Sequence, residues 1–131
     1  MFVRKLSEAR DTARHTKSRT WDSVRLLLAN DGMGFSFHIT TLYAGTETHM
    51  WYKHHFESVY CISGSAEIED KATGERHLIE PGSMYALNAN DQHVLRIKED
   101  FVCACVFNPP LKGTEVHDQD GAYTLDAEEV G

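Results

Sequence analysis

Short runs of alternating apolar and polar residues, separated by glycine or proline, follow one another from residue 20 to residue 107. The clearest run is 35–43, where the aromatic and aliphatic side chains fall on one face, which is the period of a half-buried strand. The other predicted strands are 20–28, 58–62, 65–69, 75–79, 83–87, 92–97 and 101–107. Turns are expected at Gly64 and at 72–74. Short strands at this spacing predict an all-β fold, a small β-barrel with little helix.

The N-terminal segment is less regular. We predict a short edge strand at 1–4 and one helical turn at 7–10. In the predicted strand 20–28, the alternation places Trp21 and Arg25 on the same face. These two side chains can therefore reach a common site.

Length and charge limit the functional classes. A chain of 131 residues predicts a single domain over 1–131, in which the polar segment 113–131 is a tail or a lid. The net charge of −7 argues against a partner that is nucleic acid or an anionic membrane. The sequence has no apolar run of transmembrane length and no signal-peptide pattern, so we expect a cytoplasmic protein.

The three cysteines do not have the spacing of a disulfide or zinc framework. Cys61, Cys103 and Cys105 form an odd set without a Cys-x-x-Cys pair. Cys103 and Cys105 alternate with apolar residues, as small core side chains do. We predict that all three are buried and structural.

Three potential metal ligands lie on or at the start of separate predicted strands. Glu57, Tyr85 and His93 each share a strand face with apolar neighbours, as residues that face the inside of a barrel would. Each of them alone is more often a surface or core residue, and only the joint pattern favours a site. A carboxylate and an imidazole suit iron, manganese or zinc, and a phenolate favours iron. Three protein ligands would leave positions open for a substrate.

His54 and His55 are adjacent, so only one of them should face the interior of a strand. His55 has the same parity as Glu57 and is the better candidate. It could be a fourth ligand or a base beside the metal.

Two spacings resemble the cupin motifs. Glu57 is followed after six residues by Gly64, which is similar to the second half of the first motif, and 81–82 is Pro-Gly, followed by a ligand, as in the second. The chain departs from the pattern in two places. It lacks the usual His-x-His pair, and Tyr85 stands where many cupins have histidine.

Longer segments resemble one cupin family, the ectoine synthases. These segments are 31–38, 81–87, 105–110, 115–118 and 121–123. The resemblance covers nearly the whole chain. It implies a single cupin barrel, a jelly roll, and an iron-dependent lyase. Such an enzyme cyclises N4-acetyl-L-2,4-diaminobutanoate with loss of water to ectoine, an osmoprotectant of the stress response.

The resemblance also implies roles for individual residues. The family's metal positions match Glu57, Tyr85 and His93 here, with Fe2+ as the expected ion and Zn2+ or Mn2+ as alternatives. Its catalytic positions match Tyr52, His55, Glu115 and His117. Its substrate-binding positions match Trp21, Arg25, Thr40 and Phe107. The family implies a homodimer, and any of the four catalytic positions could hold the general base.

Other functional classes are compatible with a cupin barrel. A cupin dioxygenase would also use iron with open positions, and oxygen consumption would distinguish it. A sensor module that binds a small solute would bind without turnover, and a purely structural barrel would carry no metal.

Overall fold

The computed structural model describes residues 1–113, and nearly all of its regular structure is β-sheet. The helical elements are a single turn, α1, and a short 3-10 turn. The bounds are α1 Leu6–Ala9, β1 His15–Lys17, β2 Trp21–Leu27, the 3-10 turn Ala29–Asp31, β3 Ser36–Leu42, β4 Glu47–Trp51, β5 Phe56–Asp70, β6 Arg76–Ile79, β7 Met84–Leu87 and β8 Gln92–Asn108. No helix in this part of the chain is long and apolar enough to cross a membrane.

Two long strands organise the sheet. β5 and β8 pair antiparallel along most of their length. β5 pairs with β7 in its first half and with β6 in its second, while β8 pairs first with β4 and then with β3. β2 and β1 extend the sheet beyond β3, giving the order β1-β2-β3-β8-β5-β6. The all-β prediction is confirmed.

Two predicted strand breaks are wrong, because each divides one continuous strand. The runs 58–62 and 65–69 both belong to β5, and 92–97 and 101–107 both belong to β8. Gly64 bends β5 instead of ending it, since the pairing register shifts between Cys61 and Ala66. Its φ is +83°, and a Cβ there would overlap the carbonyl oxygen of Asp100. Only glycine fits this bend without displacing β8.

The N-terminal residues and two short strands also differ from the prediction. Residues 1–4 form no strand, although the helical turn is present as α1. Neither β1 nor β4 was predicted, because both are short and polar and lack a clear apolar face.

The predicted strand over 35–43 is confirmed as β3, and its more apolar face is the outer one. Ser36, His38 and Leu42 are buried inside, whereas Phe37 and Ile39 are only half-buried on the outside. Buried polar side chains need hydrogen-bond partners, so polar residues on the inner face of β3 indicate a binding site inside the barrel.

The core lies between the inner faces of the curved sheet. Its most buried apolar side chains include Val59, Leu95 and Phe101. The cysteine prediction is confirmed as far as burial goes, because all three cysteines are free and buried.

Candidate active site

A cavity opens between the inner faces of β2, β3, β5 and β8. The empty space within it and at its open mouth is about 430 Å³. Its lining residues are Trp21, Ser23, His38, Thr40, Leu42, Met50, Tyr52, Glu57, Val59, Tyr85, Leu95, Cys103, Cys105 and Phe107. Most of the predicted site residues in the described part of the chain therefore lie on one cavity.

Glu57 and Tyr85 are neighbours in this cavity. Tyr85 on β7 pairs with Val59, two residues along β5 from Glu57, so both side chains lie on the inner face. Burial raises the pKa of Glu57 well above its ordinary value, and the Cys105 thiol raises it further. Burial likewise raises the pKa of Tyr85, and the charge of Glu57 adds to this. No positive charge among residues 1–113 offsets either of these pKa shifts.

His93 at the start of β8 is held in one orientation. Its Nδ1 lies 2.9 Å from the carbonyl oxygen of Asp91, which requires Nδ1 to carry the proton and donate it. Nε2 then has a free lone pair. That nitrogen is buried and has no hydrogen-bond partner among residues 1–113. Burial lowers the pKa of His93, although Asp91 opposes the shift.

The donor set of Glu57, Tyr85 and His93 fits a divalent metal ion. Tyr85 links the three, because it lines the main cavity with Glu57 and a second cavity with His93. Two oxygen donors and an imidazole nitrogen suit iron, zinc or manganese. Within the described part of the chain, no group of three or more His, Cys, Asp or Glu side chains is arranged to hold a metal. A site here therefore depends on the tyrosine.

Phe107 is the centre of a ring cluster at the cavity wall. The Tyr52 ring meets it edge-on with centroids 5.2 Å apart, and the His55 ring does so at 5.9 Å. The His38 ring lies 5.2 Å from it on a third side. His55 is buried and His54 is exposed, which confirms the parity argument for this pair.

Asn90 fixes the loop that carries Tyr52 and His55. Its amide nitrogen donates to the carbonyl oxygens of Tyr52 at 3.0 Å and His55 at 3.3 Å. Its own carbonyl oxygen accepts a hydrogen bond from the Trp51 indole at 3.0 Å. Asn90 has a φ of +53°, a conformation that asparagine adopts more readily than most residues. This contact was not predicted, since nothing in the sequence pairs residue 90 with residues 52 and 55.

Arg25 is buried on the inner face of β2, with Trp21, as predicted. Its Nη1 lies 3.5 Å from the carbonyl oxygen of Gly113. Nε and Nη2 are buried and have no partner among residues 1–113. A buried guanidinium is costly unless an anion or acceptors reach it, so this cation is available to an anionic ligand.

Thr40 joins a small hydroxyl and thiol network on the cavity floor. Its hydroxyl lies 2.8 Å from Ser23 Oγ and 3.8 Å from Cys105 Sγ. The Cys103 and Cys105 sulfur atoms are 3.5 Å apart. The two cysteines therefore line the cavity as well as the core, which the sequence did not indicate.

His38 is a further cavity residue that sequence reasoning missed. The signal was present, because His38 shares a strand face with Thr40, a predicted substrate-binding position. Glu115 and His117, the remaining predicted catalytic residues, lie outside the described residues, as does most of the predicted tail or lid.

The fold and its internal cavity define a cupin-type barrel with a small-molecule site. A cupin_2 domain from an XRE family transcriptional regulator of Enterobacter cloacae superposes with a TM-score of 0.59 at 17% identity, covering 70% of this chain and 99% of that one. At that identity the likeness concerns the fold alone.

Closer similarity identifies the family. The ectoine synthase family model matches residues 1–127. The L-ectoine synthase of Hahella chejuensis is 55% identical over 130 residues, 99% of this chain and 98% of that protein. The crystal structure of ectoine synthase from P. lautus has a TM-score of 0.87 and 52% identity, covering 92% of this chain and 87% of that one.

The chain belongs to the ectoine synthase family. It is thus an enzyme of ectoine biosynthesis, a lyase with a cupin fold, and the dioxygenase and sensor alternatives are set aside.

Proposed function

We propose that the chain converts N4-acetyl-L-2,4-diaminobutanoate to L-ectoine by intramolecular condensation with loss of water. The observation that carries this proposal is the composition of one buried region. The cavity itself contains a carboxyl and a phenol, a guanidinium with unpartnered nitrogens lies beside it, and an imidazole donor lies in the adjoining cavity. These groups match a substrate that has an anionic end and an amide end.

Arg25 binds the substrate carboxylate in this proposal. A guanidinium can form two parallel hydrogen bonds with a carboxylate, which fixes both position and orientation. The buried location strengthens the pairing, because water does not screen it. Nε and Nη2, which have no partner among residues 1–113, are the nitrogens that would form it.

Glu57, Tyr85 and His93 would hold a divalent metal, with Fe2+ as the preferred ion and Zn2+ or Mn2+ as alternatives. Such an ion would supply a Lewis acid that polarises the amide carbonyl group. His93 presents Nε2 because Asp91 fixes the proton on Nδ1. This arrangement, in which a backbone carbonyl orients a histidine ligand, is usual at metal sites.

The cavity wall would hold the flexible substrate in a folded conformation. Trp21, Tyr52 and Phe107 provide large, rigid surfaces, and Thr40 provides a hydroxyl group beside them. Ring closure requires the α-amine and the amide carbon to meet, and such positioning contributes much of the rate of an intramolecular reaction. The substrate amine must also lose a proton, for which Tyr52, His55, Glu115 and His117 were the predicted candidates.

We further propose that the chain acts as a homodimer. An apolar row crosses the outer face of four neighbouring strands, formed by Ile39, Ala104, Tyr60 and Met84, which are paired in that order. Tyr60 and Met84 expose 49% and 60% of their surface. A second copy of the same face would cover them symmetrically. The predicted cytoplasmic location stays a prediction.

Sedimentation velocity tests the dimer. We expect the wild-type protein to sediment as a dimer and the Tyr60→Lys variant as a monomer. The variant Lys98→Glu, changed on an exposed position away from the row, is the control. A monomeric wild type would refute the dimer proposal.

Proton NMR of the purified protein with ferrous iron and N4-acetyl-L-2,4-diaminobutanoate tests the activity. We expect the cyclic product to appear and a chelator to stop its formation. Arg25→Lys should raise KM roughly tenfold or more, because one lysine cannot replace two parallel hydrogen bonds. Absence of product from iron-loaded protein would refute the activity, and product formation insensitive to chelation would refute the metal role.

A further inference from the structure

His38 lines the cavity, and one nitrogen of its imidazole has no hydrogen-bond partner among residues 1–113. The side chain is 2% exposed, and its ring packs at 5.2 Å from the ring of Phe107. Nε2 is buried and has no hydrogen-bond partner among residues 1–113. Buried polar atoms in folded proteins are almost always paired, so this nitrogen is expected to meet a ligand.

His38 lies directly beside the carboxylate-binding cation. Arg25 and His38 are opposed residues of β2 and β3. Side chains at opposed positions of antiparallel strands leave the sheet about 5 Å apart on the same face. Burial lowers the pKa of His38 well below its ordinary value, and the charge of Arg25 lowers it further, so the imidazole is neutral. A substrate ammonium group bound beside His38 meets the same burial and the same cation, which lower its pKa as well and favour loss of its proton.

We propose that His38 Nε2 accepts a hydrogen bond from the α-amino group of the substrate and takes its proton. This inference rests on the proposed function, in which Arg25 holds the substrate carboxylate. The carboxylate and the α-amino group are attached to one carbon atom. A partner for the amine must therefore lie next to the partner for the carboxylate, and His38 occupies that position.

Another candidate near the cavity is less suited to this role. The Tyr52 hydroxyl donates to Met50 Sδ at 3.3 Å, so its proton is already engaged. His38, in the tautomer with the proton on Nδ1, offers a lone pair at Nε2 and needs no prior deprotonation.

The proton balance closes without a further reactant. The α-ammonium group gives one proton to His38 Nε2, and the freed lone pair forms the bond to the amide carbon while the carbonyl π electrons move to oxygen. The new C–N nitrogen loses a second proton. Both protons end on the oxygen, His38 returning the one that it took, and the C–O bond breaks to release water. The remaining nitrogen protons stay on the cyclic amidinium product.

The test compares the substrate with 4-acetamidobutanoate, which lacks only the α-amino group. His38→Phe keeps a ring against Phe107 and removes the acceptor. We expect its kcat to fall roughly a hundredfold or more. The affinity for 4-acetamidobutanoate, measured by calorimetry on the iron-loaded protein, should stay within about twofold of wild type. His38→Asn, which keeps an acceptor, should retain substrate binding better than His38→Phe and still lose kcat.

Arg25→Lys is the matched control, since it should weaken the binding of both compounds. Circular dichroism shows whether each variant is folded. If His38→Phe does not fold, the kcat of His38→Asn tests the inference in its place. Unchanged kcat in a folded His38 variant would overturn the inference. An equal loss of affinity for the substrate and for 4-acetamidobutanoate would also overturn the inference, because it would mean that His38 only supports the shape of the cavity. A wild-type protein without synthase activity would instead contradict the proposed function.

Discussion

Two carboxyl groups withdrawn from water have pKa values shifted in opposite directions. Burial would raise the pKa of Asp31, but the hydrogen bond from Leu28 N–H and the guanidinium groups of Arg14 and Arg4 outweigh it, so the pKa is lowered. Among residues 1–113, Glu57 has no such partners, and burial raises its pKa well above the ordinary value. Residues 1–113 thus supply Asp31 with cationic partners and supply Glu57 with none.

The same contrast holds for the nitrogen atoms around each group. Arg14 donates to Asp31 at 3.1 Å and also to the carbonyl oxygen of Arg25, so its guanidinium has hydrogen-bond partners. In and around the cavity, buried nitrogen atoms of His38, of Arg25 beside it and of His93 in the adjoining cavity have no partner among residues 1–113. Unpaired buried groups reduce stability, and their retention is typical of functional sites. We therefore expect substitutions at Asp31 to change mainly the stability of the protein and substitutions of the cavity groups to change mainly ligand binding and activity.

The largest effect should come from Glu57→Gln. This change keeps the shape of the side chain and removes the carboxyl group that would bind a metal. We expect kcat/KM to fall at least about a hundredfold and bound iron to be lost. Stability to urea, measured without metal, should stay equal or rise slightly, because a buried carboxyl group is removed.

Elemental analysis, product formation and urea unfolding of wild type, Glu57→Gln and Asp31→Asn check this contrast in one series. A Glu57→Gln protein that keeps both iron and activity would remove Glu57 from the site.

Asn90 should show an intermediate effect, since it connects the cavity wall to the surface loop. Asn90→Gly accepts the positive φ but loses both hydrogen bonds to the loop of Tyr52 and His55. We expect kcat/KM to fall roughly tenfold through misplaced side chains, with a smaller loss of stability. The steady-state constants and the melting temperature measure the two effects.

The exposed Asn88 in the same loop provides the control. Asn88→Gly should leave kcat/KM unchanged. If Asn90→Gly behaves in the same way, the loop does not need Asn90 for its position.

The smallest effect on activity should come from Asp31→Asn. We expect a loss of about 1 kcal/mol of unfolding free energy at pH 7 and unchanged kcat/KM. Because the folded-state pKa of Asp31 lies below 3.8, its stabilisation is complete above that pH and is lost as the pH falls through the folded value. Urea unfolding of both proteins at several pH values should therefore show a difference that narrows in acid, and a constant difference would contradict the ion-pair explanation.

Local alternation predicted much of the fold. It identified β3 and the parity that points His55 inward, because both depend only on the two-residue period of a strand. It mistook the bend at Gly64 for a turn, since a glycine in a bulge and a glycine in a turn look alike in sequence. The difference lies in the approach of Asp100 from β8, which is a long-range contact.

The candidate site was predictable only in part. Glu57, Tyr85 and His93 stood out because each lies among apolar neighbours on a strand. His38 did not, because its strand carries a more apolar face that turned out to be the outer one. The role of Asn90 depends on two loops meeting in space, and no pattern within either loop encodes that meeting.

The most direct test of this account is long-range 1H–15N NMR of the histidine side chains in labelled protein. His93→Gln identifies the His93 signals. We expect added Zn2+ to shift the Nε2 signal of His93 strongly while Nδ1 keeps its proton, as a nitrogen that gains a metal would. An unchanged Nε2 signal in protein saturated with zinc would contradict the claim that the buried, unpartnered Nε2 of His93 is a metal ligand.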